Sequence, residues 1–295
     1  MIMKRERAAL ATALVSALLA AGCAANDPAG GPSSAPVIVG SKNFTEQRVL
    51  GEIVAQTLER SGLAVQRRFD LGGTFVCDAA LRAGQIDVYV EYTGTALTAV
   101  LKEPPDTDPA RVLARVREAY ATAGLVWTAP LGFDNTFALV VRPDAGVDTI
   151  SAAVAPARAW TAAFGYEFQQ RPDGYPALAR VYGLAFGQVR TMDLGLLYRA
   201  LAERQADLAV GSATDGLIDR LGFVVLADDR RAFPPYEAAP VVRQAALERF
   251  PPLGPALAGL GGRFSVATMR RLNQAVDGEH RAPAEVVHDL FKTGF

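Results

Sequence analysis

The sequence has little of what metal centres, disulfide scaffolds and nucleic-acid surfaces require. Its 295 residues include two cysteines and two histidines, which excludes a disulfide framework and argues against a histidine-rich metal centre. Neither sign of charge predominates, because 30 basic and 31 acidic residues leave a formal net charge of −1. That balance argues against a basic surface for nucleic acid over the whole chain.

What is present is typical of a large folded body. Hydrophobic residues make up 50% of the chain and charged residues 21%, which excludes bulk disorder. A chain near this length buries roughly 75% of the surface that its unfolded form exposes, so its core needs no disulfide or metal support. The length allows one large domain or two smaller ones.

The start of the chain has the pattern of a lipoprotein signal peptide, expected over residues 1–22. A positively charged beginning precedes an apolar run at residues 8–21 that is too short to span a bilayer comfortably. The run ends in LAAGC, which resembles a bacterial lipobox with Ala20 where leucine is usual. We therefore expect Cys23 to be lipidated. The alternative is an ordinary secretory signal cleaved just before an incidental Cys23.

Residues 23–36 are expected to form a lipid anchor and a flexible tether, because Ala, Gly, Pro and Ser dominate the segment after Cys23. This arrangement would hold the folded body outside the cytoplasm, attached to the cell membrane. Cys77 is then the one remaining cysteine, and we expect it to be a small buried apolar residue.

From residue 37 onward, strand and helix patterns alternate. Apolar spacing predicts a helix over residues 45–60, and Asp108 followed by Pro109 is typical of a helix start. Apolar and polar residues alternate over residues 86–91, which predicts a strand. Such alternation of strands and helices indicates parallel α/β units.

The pattern breaks near residues 133 and 236, which divides the body into two α/β blocks. Residues 37–133 and 237–295 are expected to form a first lobe, and residues 134–236 a second lobe. The chain would leave the first lobe, build the second and return, adding one strand and three helices after residue 237. A cleft between two such lobes is a natural ligand site.

The body also carries an ordered set of short motifs. They are GSKNFTEQ at residues 40–47, GGT at 72–74, GQIDVYVEYTGT at 84–95, GFDNTFAL at 132–139, DLGL at 193–196, TDG at 214–216 and FPPY at 233–236. Together they resemble the substrate-binding proteins of ABC importers for glycine betaine, choline, carnitine and related osmoprotectants, over residues 37–293.

This resemblance implies an α/β protein with the two-lobed periplasmic-binding-protein fold, type II-like, and a ligand in the inter-lobe cleft. It implies a monomer that delivers a zwitterion or quaternary amine to an ABC permease and its ATPase, with no cofactor, metal or catalytic residue. A trimethylammonium group has no N–H donor, so aromatic faces hold it, at about 0.5–2 kcal/mol each. A ligand carboxylate instead needs Lys, Arg or N–H donors.

Nine residues are implied as ligand-binding by the resemblance. Tyr92, Phe137 and Tyr236 would be cage walls, Lys42 and Arg171 carboxylate donors or lobe contacts, and Thr95, Asn135, Ser212 and Thr214 further polar or crossing positions. For the aromatic residues the alternative is plain packing in the core or hinge. For the two cations it is an exposed position on the surface.

Ser212 departs from the family pattern, which commonly has a tyrosine two residues before the threonine of TDG. A cage without that wall predicts either weaker cation binding or a larger ligand. Phe133 and Tyr166 are aromatic residues that would fill the gap.

Two other functions are compatible with parts of the sequence. A sensing module would share the fold and the site. A hydrolase would use Ser212, Asp215 and a histidine as a nucleophile set. The hydrolase is disfavoured, because the chain has no Gly-x-Ser-x-Gly motif and both His280 and His288 lie near the C-terminus.

Overall fold

Two five-stranded sheets organise residues 35–294, which are the part of the chain that this computed structural model describes. These residues belong to one compact unit. The expected signal peptide, Cys23 and most of the tether lie outside the described residues. Within the described part, no helix has the length and apolar character needed to cross a membrane.

The first sheet has the strand order β2-β1-β3-β10-β4 and the second the order β7-β6-β8-β5-β9. The strands are β1 (Val37–Gly40), β2 (Val65–Arg68), β3 (Val88–Tyr92), β4 (Leu125–Trp127), β5 (Phe137–Val141), β6 (Thr161–Phe164), β7 (Gln188–Thr191), β8 (Leu208–Ser212), β9 (Val224–Val225) and β10 (Ala238–Arg243). We call the parts built around these sheets the first and second lobes.

The two sheets repeat one plan. In each, three parallel strands are followed by an antiparallel fourth strand, which is β10 in the first sheet and β5 in the second. Each fourth strand begins just after the chain crosses from the other lobe. The lobe boundaries expected at residues 133 and 236 fall within the two connections, β4 to β5 and β9 to β10, and remain predictions.

Helices cover the sheets and are connected by short loops. They are α1 (Thr45–Arg60), α2 (Thr74–Arg82), α3 (Thr93–Thr95), α4 (Pro109–Ala121), α5 (Ile150–Ala157), α6 (Tyr175–Tyr182), α7 (Leu197–Ala202), α8 (Gly216–Arg220), α9 (Gln244–Arg249), α10 (Leu253–Ala258), α11 (Val266–Asp277) and α12 (Pro283–Lys292). A π-helical turn, Ala96–Val100, continues from α3.

Local sequence signals explain several helix ends. The predicted start of α4 is confirmed, since the Asp108 side chain accepts a hydrogen bond from the Arg111 amide and Pro109 occupies the first turn. Thr149 caps α5 and Ser265 caps α11 in the same way. The predicted helix over residues 45–60 is also confirmed, and Gly62, with a φ of 82°, follows its end.

The predicted strand is confirmed as β3, and all five of its residues are buried. Val88 and Val90 pack in the same cluster as side chains of α1, whereas Tyr89 packs on the opposite face with Cys77 and Leu81 of α2. The polar residues in the pattern therefore lie on a second buried face, as expected for a central strand covered by helices on both sides. Cys77 is buried, as expected.

Candidate functional site

The two chain segments that cross between the lobes lie side by side. Asp134 and Glu237 form an antiparallel bridge, and the Asn135 amide donates to the Tyr236 carbonyl at 3.1 Å. The Tyr236 amide in turn donates to the Asp134 carboxylate at 2.9 Å. These bonds fix the start of β5 against the start of β10, so the site residues near both crossings are held in one place.

The end of β3 packs directly on this crossing. Thr93 donates from its hydroxyl to the Pro235 carbonyl at 3.1 Å and accepts from the Glu237 amide at 3.1 Å. A Cβ on Gly94 would lie 2.6 Å from the Pro235 carbonyl oxygen, so only glycine allows this close approach. The EYTGT segment is thereby placed beside FPPY.

Burial at the crossing raises the pKa of Asp134 to about 6, although the hydrogen bond from the Tyr236 amide opposes the shift. The pKa of an unfolded aspartate is about 3.9, so folding takes up a proton at pH values between the unfolded and the folded pKa. The free energy of unfolding therefore falls as the pH rises from about 4 to about 6. We expect Asp134→Asn to reduce this loss, measured by urea denaturation at a series of pH values. The exposed Asp148→Asn is the control, and a variant with the full wild-type pH dependence would contradict the assignment.

Phe137, at the start of β5, lies in an aromatic cluster. Its ring centroid is 4.8 Å from that of Phe168, 5.5 Å from Phe233 and 5.3 Å from Tyr236. Two of the three expected cage walls, Phe137 and Tyr236, are therefore in contact. Of the rings proposed to fill the gap at Ser212, Tyr166 is exposed and Phe133 is buried; Phe168 and Phe233 occupy the places next to Phe137.

Ser212 is the direct cross-strand partner of Phe137, in the register of β8 with β5. Opposed residues in an antiparallel pair point to the same face, with Cβ atoms about 4.5–5.5 Å apart. A side chain at position 212 therefore lies beside the Phe137 ring. The departure from the family pattern at Ser212 is visible in the sequence, and the strand register shows that this position adjoins Phe137.

Lys42 is buried and ion-paired within the first lobe. Its ammonium lies 2.5 Å from the Glu91 carboxylate, and the two side chains are 4% and 0% exposed. Glu91 also accepts hydrogen bonds from the Tyr92 amide at 2.7 Å and the Tyr89 hydroxyl at 3.2 Å. The ammonium is 5.0 Å from the centroid of the Tyr92 ring. The structure thus places Lys42 beside one expected cage wall, with its charge already balanced.

Arg171 is balanced in a similar way in the second lobe. Its guanidinium donates twice to Asp173, at 2.9 and 2.7 Å, and lies 5.4 Å from the centroid of the Phe137 ring. Burial alone would raise the pKa of Asp173, but the Arg171 ion pair and the hydrogen bonds from Tyr236 and Thr98 hold that pKa below its usual value. Asp173 is therefore ionised at neutral pH.

Glu46, in the first turn of α1, is the centre of a buried polar network that the sequence analysis missed. Its carboxylate accepts from the Tyr92 hydroxyl at 2.6 Å, the Asn135 amide group at 2.8 Å and the Asn273 amide group at 3.1 Å. Thr214 completes the network by donating to Asn135 at 2.8 Å. Burial raises the pKa of Glu46, while the hydrogen bonds from Tyr92 and Asn273 oppose the shift.

This network shows where three more of the expected site residues lie. Tyr92 and Asn135 share one carboxylate oxygen, and Thr214 brings the second lobe into the same set of bonds. Thr95 is buried at the end of α3, just before the π-helical turn. Tyr92, Asn135 and Thr214 were expected from the sequence, whereas Glu46, the acid that joins them, was not.

The residues proposed for a hydrolase are used differently. Asp215 accepts from the Tyr198 hydroxyl at 2.5 Å and from the Ser212 amide at 2.8 Å, which binds it within the second lobe. His288 lies in α12, which packs on α1 and α11. Among the described residues, no group of His, Cys, Asp and Glu is arranged to hold a metal ion.

The chain is similar in sequence to known proteins. Residues 35–293 match the family model described as the substrate-binding domain of the ABC-type glycine betaine transport system. A glycine-betaine-binding protein of Pseudomonas aeruginosa is 35% identical over 86% of each chain. The carnitine transport binding protein OpuCC of Listeria monocytogenes is 31% identical over 88% of this chain and 87% of that protein.

Solved structures agree with the sequence relatives. A structure titled as a glycine betaine/carnitine/choline ABC transporter has a TM-score of 0.79 and 29% identity, and covers 87% of this chain and 98% of that one. Apo YehZ of Escherichia coli has a TM-score of 0.73 and 28% identity, over 88% and 99%. The expected two-lobed α/β fold is confirmed. The chain therefore belongs to the family of substrate-binding domains of ABC-type glycine betaine transport systems, and it is a solute-binding protein rather than an enzyme.

Proposed function

We propose that the chain binds an osmoprotectant with a quaternary ammonium group in the cleft between its lobes and delivers it to an ABC permease. The observation that carries this proposal is the aromatic cluster at the crossing, where the Phe137 and Tyr236 rings lie 5.3 Å apart. Tyr92 approaches the same crossing from the first lobe. The ligands named for the family's relatives, glycine betaine and carnitine, both carry a trimethylammonium group that such rings attract.

Charge balance around the cluster supports the same ligand class. Both cations near the expected cage walls are neutralised by carboxylates, Lys42 by Glu91 and Arg171 by Asp173. Neither therefore opposes the entry of a ligand cation as an uncompensated charge would. Local ring faces, rather than the small net charge of the chain, provide the attraction.

Calorimetric titration of the purified protein tests the proposal. Glycine betaine, choline, carnitine and ectoine are the ligands, and 3,3-dimethylbutanol, which replaces the ammonium nitrogen of choline with carbon, is the matched neutral control. We expect at least one of the first three to bind and the neutral analogue to bind at least about tenfold more weakly, since it lacks the cation–π attraction. No binding of any cation or zwitterion would refute the proposal, and equal binding of the neutral analogue would refute the aromatic cage.

Replacing Ser212 with tyrosine is expected to tighten binding of choline by up to about fivefold, because a new ring would stand beside Phe137 and add a face to the cage. Ser212→Ala is the control and is expected to leave affinity unchanged. Abolished binding in the tyrosine variant would instead mean that the ligand itself occupies the space beside Phe137.

We further propose that the mature protein is a monomer outside the cytoplasm, attached to the membrane by a lipid on Cys23. The support is the small-small-Cys sequence after an apolar run of signal length. Mass spectrometry of the protein from membranes should show a lipidated N-terminal Cys23, and Cys23→Ser should release the protein from the membrane fraction. An unmodified Cys23 would contradict the anchor without affecting the proposed ligand.

A further inference from the structure

One carboxylate, that of Asp173, joins three separate parts of the protein. It accepts two hydrogen bonds from Arg171 of the second lobe and one from the Tyr236 hydroxyl of the crossing, at 2.6 Å. It also accepts one from Thr98 of the first lobe, at 3.0 Å. Asp173 is only 1% exposed, so these donors, rather than solvent, satisfy its charge. Asp173 thus connects Tyr236 of the aromatic cluster with both lobes.

Thr98 has a second acceptor for the same proton. Its hydroxyl lies 2.8 Å from the Gly94 carbonyl, four residues earlier in its own segment, and 3.0 Å from Asp173. A hydroxyl has one proton, so it donates to only one of these oxygens at a time. Gly94 belongs to the first lobe, whereas Asp173 belongs to the second. The bond to Asp173 can therefore break on lobe separation without leaving the hydroxyl unpaired.

The surroundings of Thr98 bring it close to the expected cage. Thr98 is in the π-helical turn Ala96–Val100, a distortion that is frequent at functional sites. Gly94, one turn earlier, packs against the Tyr236 ring, where an added Cβ would lie 3.0 Å from two ring carbons. A movement of this turn relative to the second lobe would therefore change the contacts of Tyr236 as well as the Thr98–Asp173 distance.

We propose that Thr98 and Asp173 form an inter-lobe latch of the closed state, which ligand binding favours, with Asp173 as the positioning residue for Tyr236. The inference rests on the proposed function in that it takes the lobes to close around a ligand. In the latched state Asp173 holds the Tyr236 hydroxyl and keeps Arg171 over the Phe137 ring. Closure and the geometry of two aromatic walls are thereby coupled through one carboxylate.

Thr98→Val tests the latch, because valine keeps the shape and removes the proton. Thr128→Val is the matched control, since the Thr128 hydroxyl donates to the Pro240 carbonyl within the first lobe. With choline as the probe, we expect Thr98→Val to raise the dissociation rate about tenfold and to change the association rate less than about twofold. The bond to the charged Asp173 exists only in the closed state, so its removal destabilises the closed complex alone. Thr128→Val should match the wild type in both rates.

Double electron–electron resonance measures lobe separation independently. The spin labels are attached at Glu118→Cys on α4 and Arg180→Cys on α6, which are both exposed positions. With choline, the wild type and Thr128→Val are expected to show one short distance and Thr98→Val a longer, broader distribution. Asp173→Asn should shift the distances between the labels to still larger values, since the amide also weakens the bonds to Tyr236 and Arg171. Wild-type rates and distances in Thr98→Val would overturn the latch.

The two proposals fail in different ways. A wild-type protein that binds none of the quaternary amines refutes the proposed function. The latch is then decided by the distances measured without ligand, in which Thr98→Val is expected to reduce the fraction of short distances, because the bond to Asp173 stabilises closed molecules that form without ligand. Identical distributions for Thr98→Val and the wild type in that experiment would overturn the latch.

Discussion

Replacing Lys42 with methionine is expected to lower the free energy of unfolding by about 3–5 kcal/mol, because it leaves the Glu91 carboxylate buried without its counter-charge. Both side chains of this pair are almost fully buried, so solvent cannot replace the lost partner. Urea denaturation at neutral pH measures the effect. Lys292→Met is the matched control: that lysine is 62% exposed in its ion pair, and we expect its loss to cost less than about 1 kcal/mol.

The double variant Lys42→Met with Glu91→Gln separates the two parts of this effect. Removing both charges leaves a neutral amide that keeps acceptors and donors near the Tyr92 amide, so most of the stability should return. A Lys42→Met protein as stable as the wild type would contradict the buried pair. It would mean that Lys42 reaches solvent and is available as a donor to the ligand.

Replacing Phe137 with leucine is expected to weaken binding of a quaternary amine by about 1–2 kcal/mol, or roughly tenfold, because it removes a ring face at the centre of the aromatic cluster. Titration with choline and glycine betaine measures the change. Phe137→Tyr keeps the ring, so it should bind at least as well as the wild type.

Phe164→Leu is the control for a general loss of packing. Phe164 also contacts Phe168, at 5.1 Å, and its other ring contacts are with Tyr175 and Phe186. We expect this variant to lose stability and to keep its affinity. If Phe137→Leu binds choline as tightly as the wild type, Phe137 is a core residue only, which is the alternative that the sequence left open.

The sequence predicts the framework of the protein well where local signals are strong. The α1 helix and the capped start of α4 follow from apolar spacing and from Asp108 with Pro109. By contrast, β6 was not predicted, because its sequence, Thr-Ala-Ala-Phe, has little of the β-branched and aromatic character that marks strands. Four helices, α9–α12, follow β10, where three were expected, because α9 and α10 are only six residues each.

Several residues that lie near the crossing could be singled out from motifs, but their partners could not be predicted. Tyr92 and Tyr236 stand in motifs, whereas Asn273, which shares the Glu46 carboxylate with Tyr92, is 227 residues from Glu46 and stands in no motif. Asp173 likewise meets Thr98 across 75 residues. Such contacts depend on how the lobes pack, and no local pattern encodes that packing. The role of each residue in binding stays a prediction.

Lys42 and Arg171 are candidate ligand-binding residues because of their charges. Glu91 balances the charge of Lys42 and Asp173 that of Arg171, and neither partner could be predicted from the sequence. This pairing changes the role in ligand binding that we expect for the two cations. A free cation would contribute mainly by attracting a ligand carboxylate, whereas a paired one fixes an aromatic ring. We therefore expect the rings, and not these two cations, to dominate affinity for choline.

A crystal structure of the protein with bound choline tests the central claim most directly. The account predicts that the choline nitrogen lies within about 6 Å of the ring centroids of Phe137 and Tyr236, in the cleft between the lobes. Choline bound elsewhere would contradict it, for example in the surface groove lined by Arg142, Asp144 and Arg204 beyond the far end of β5.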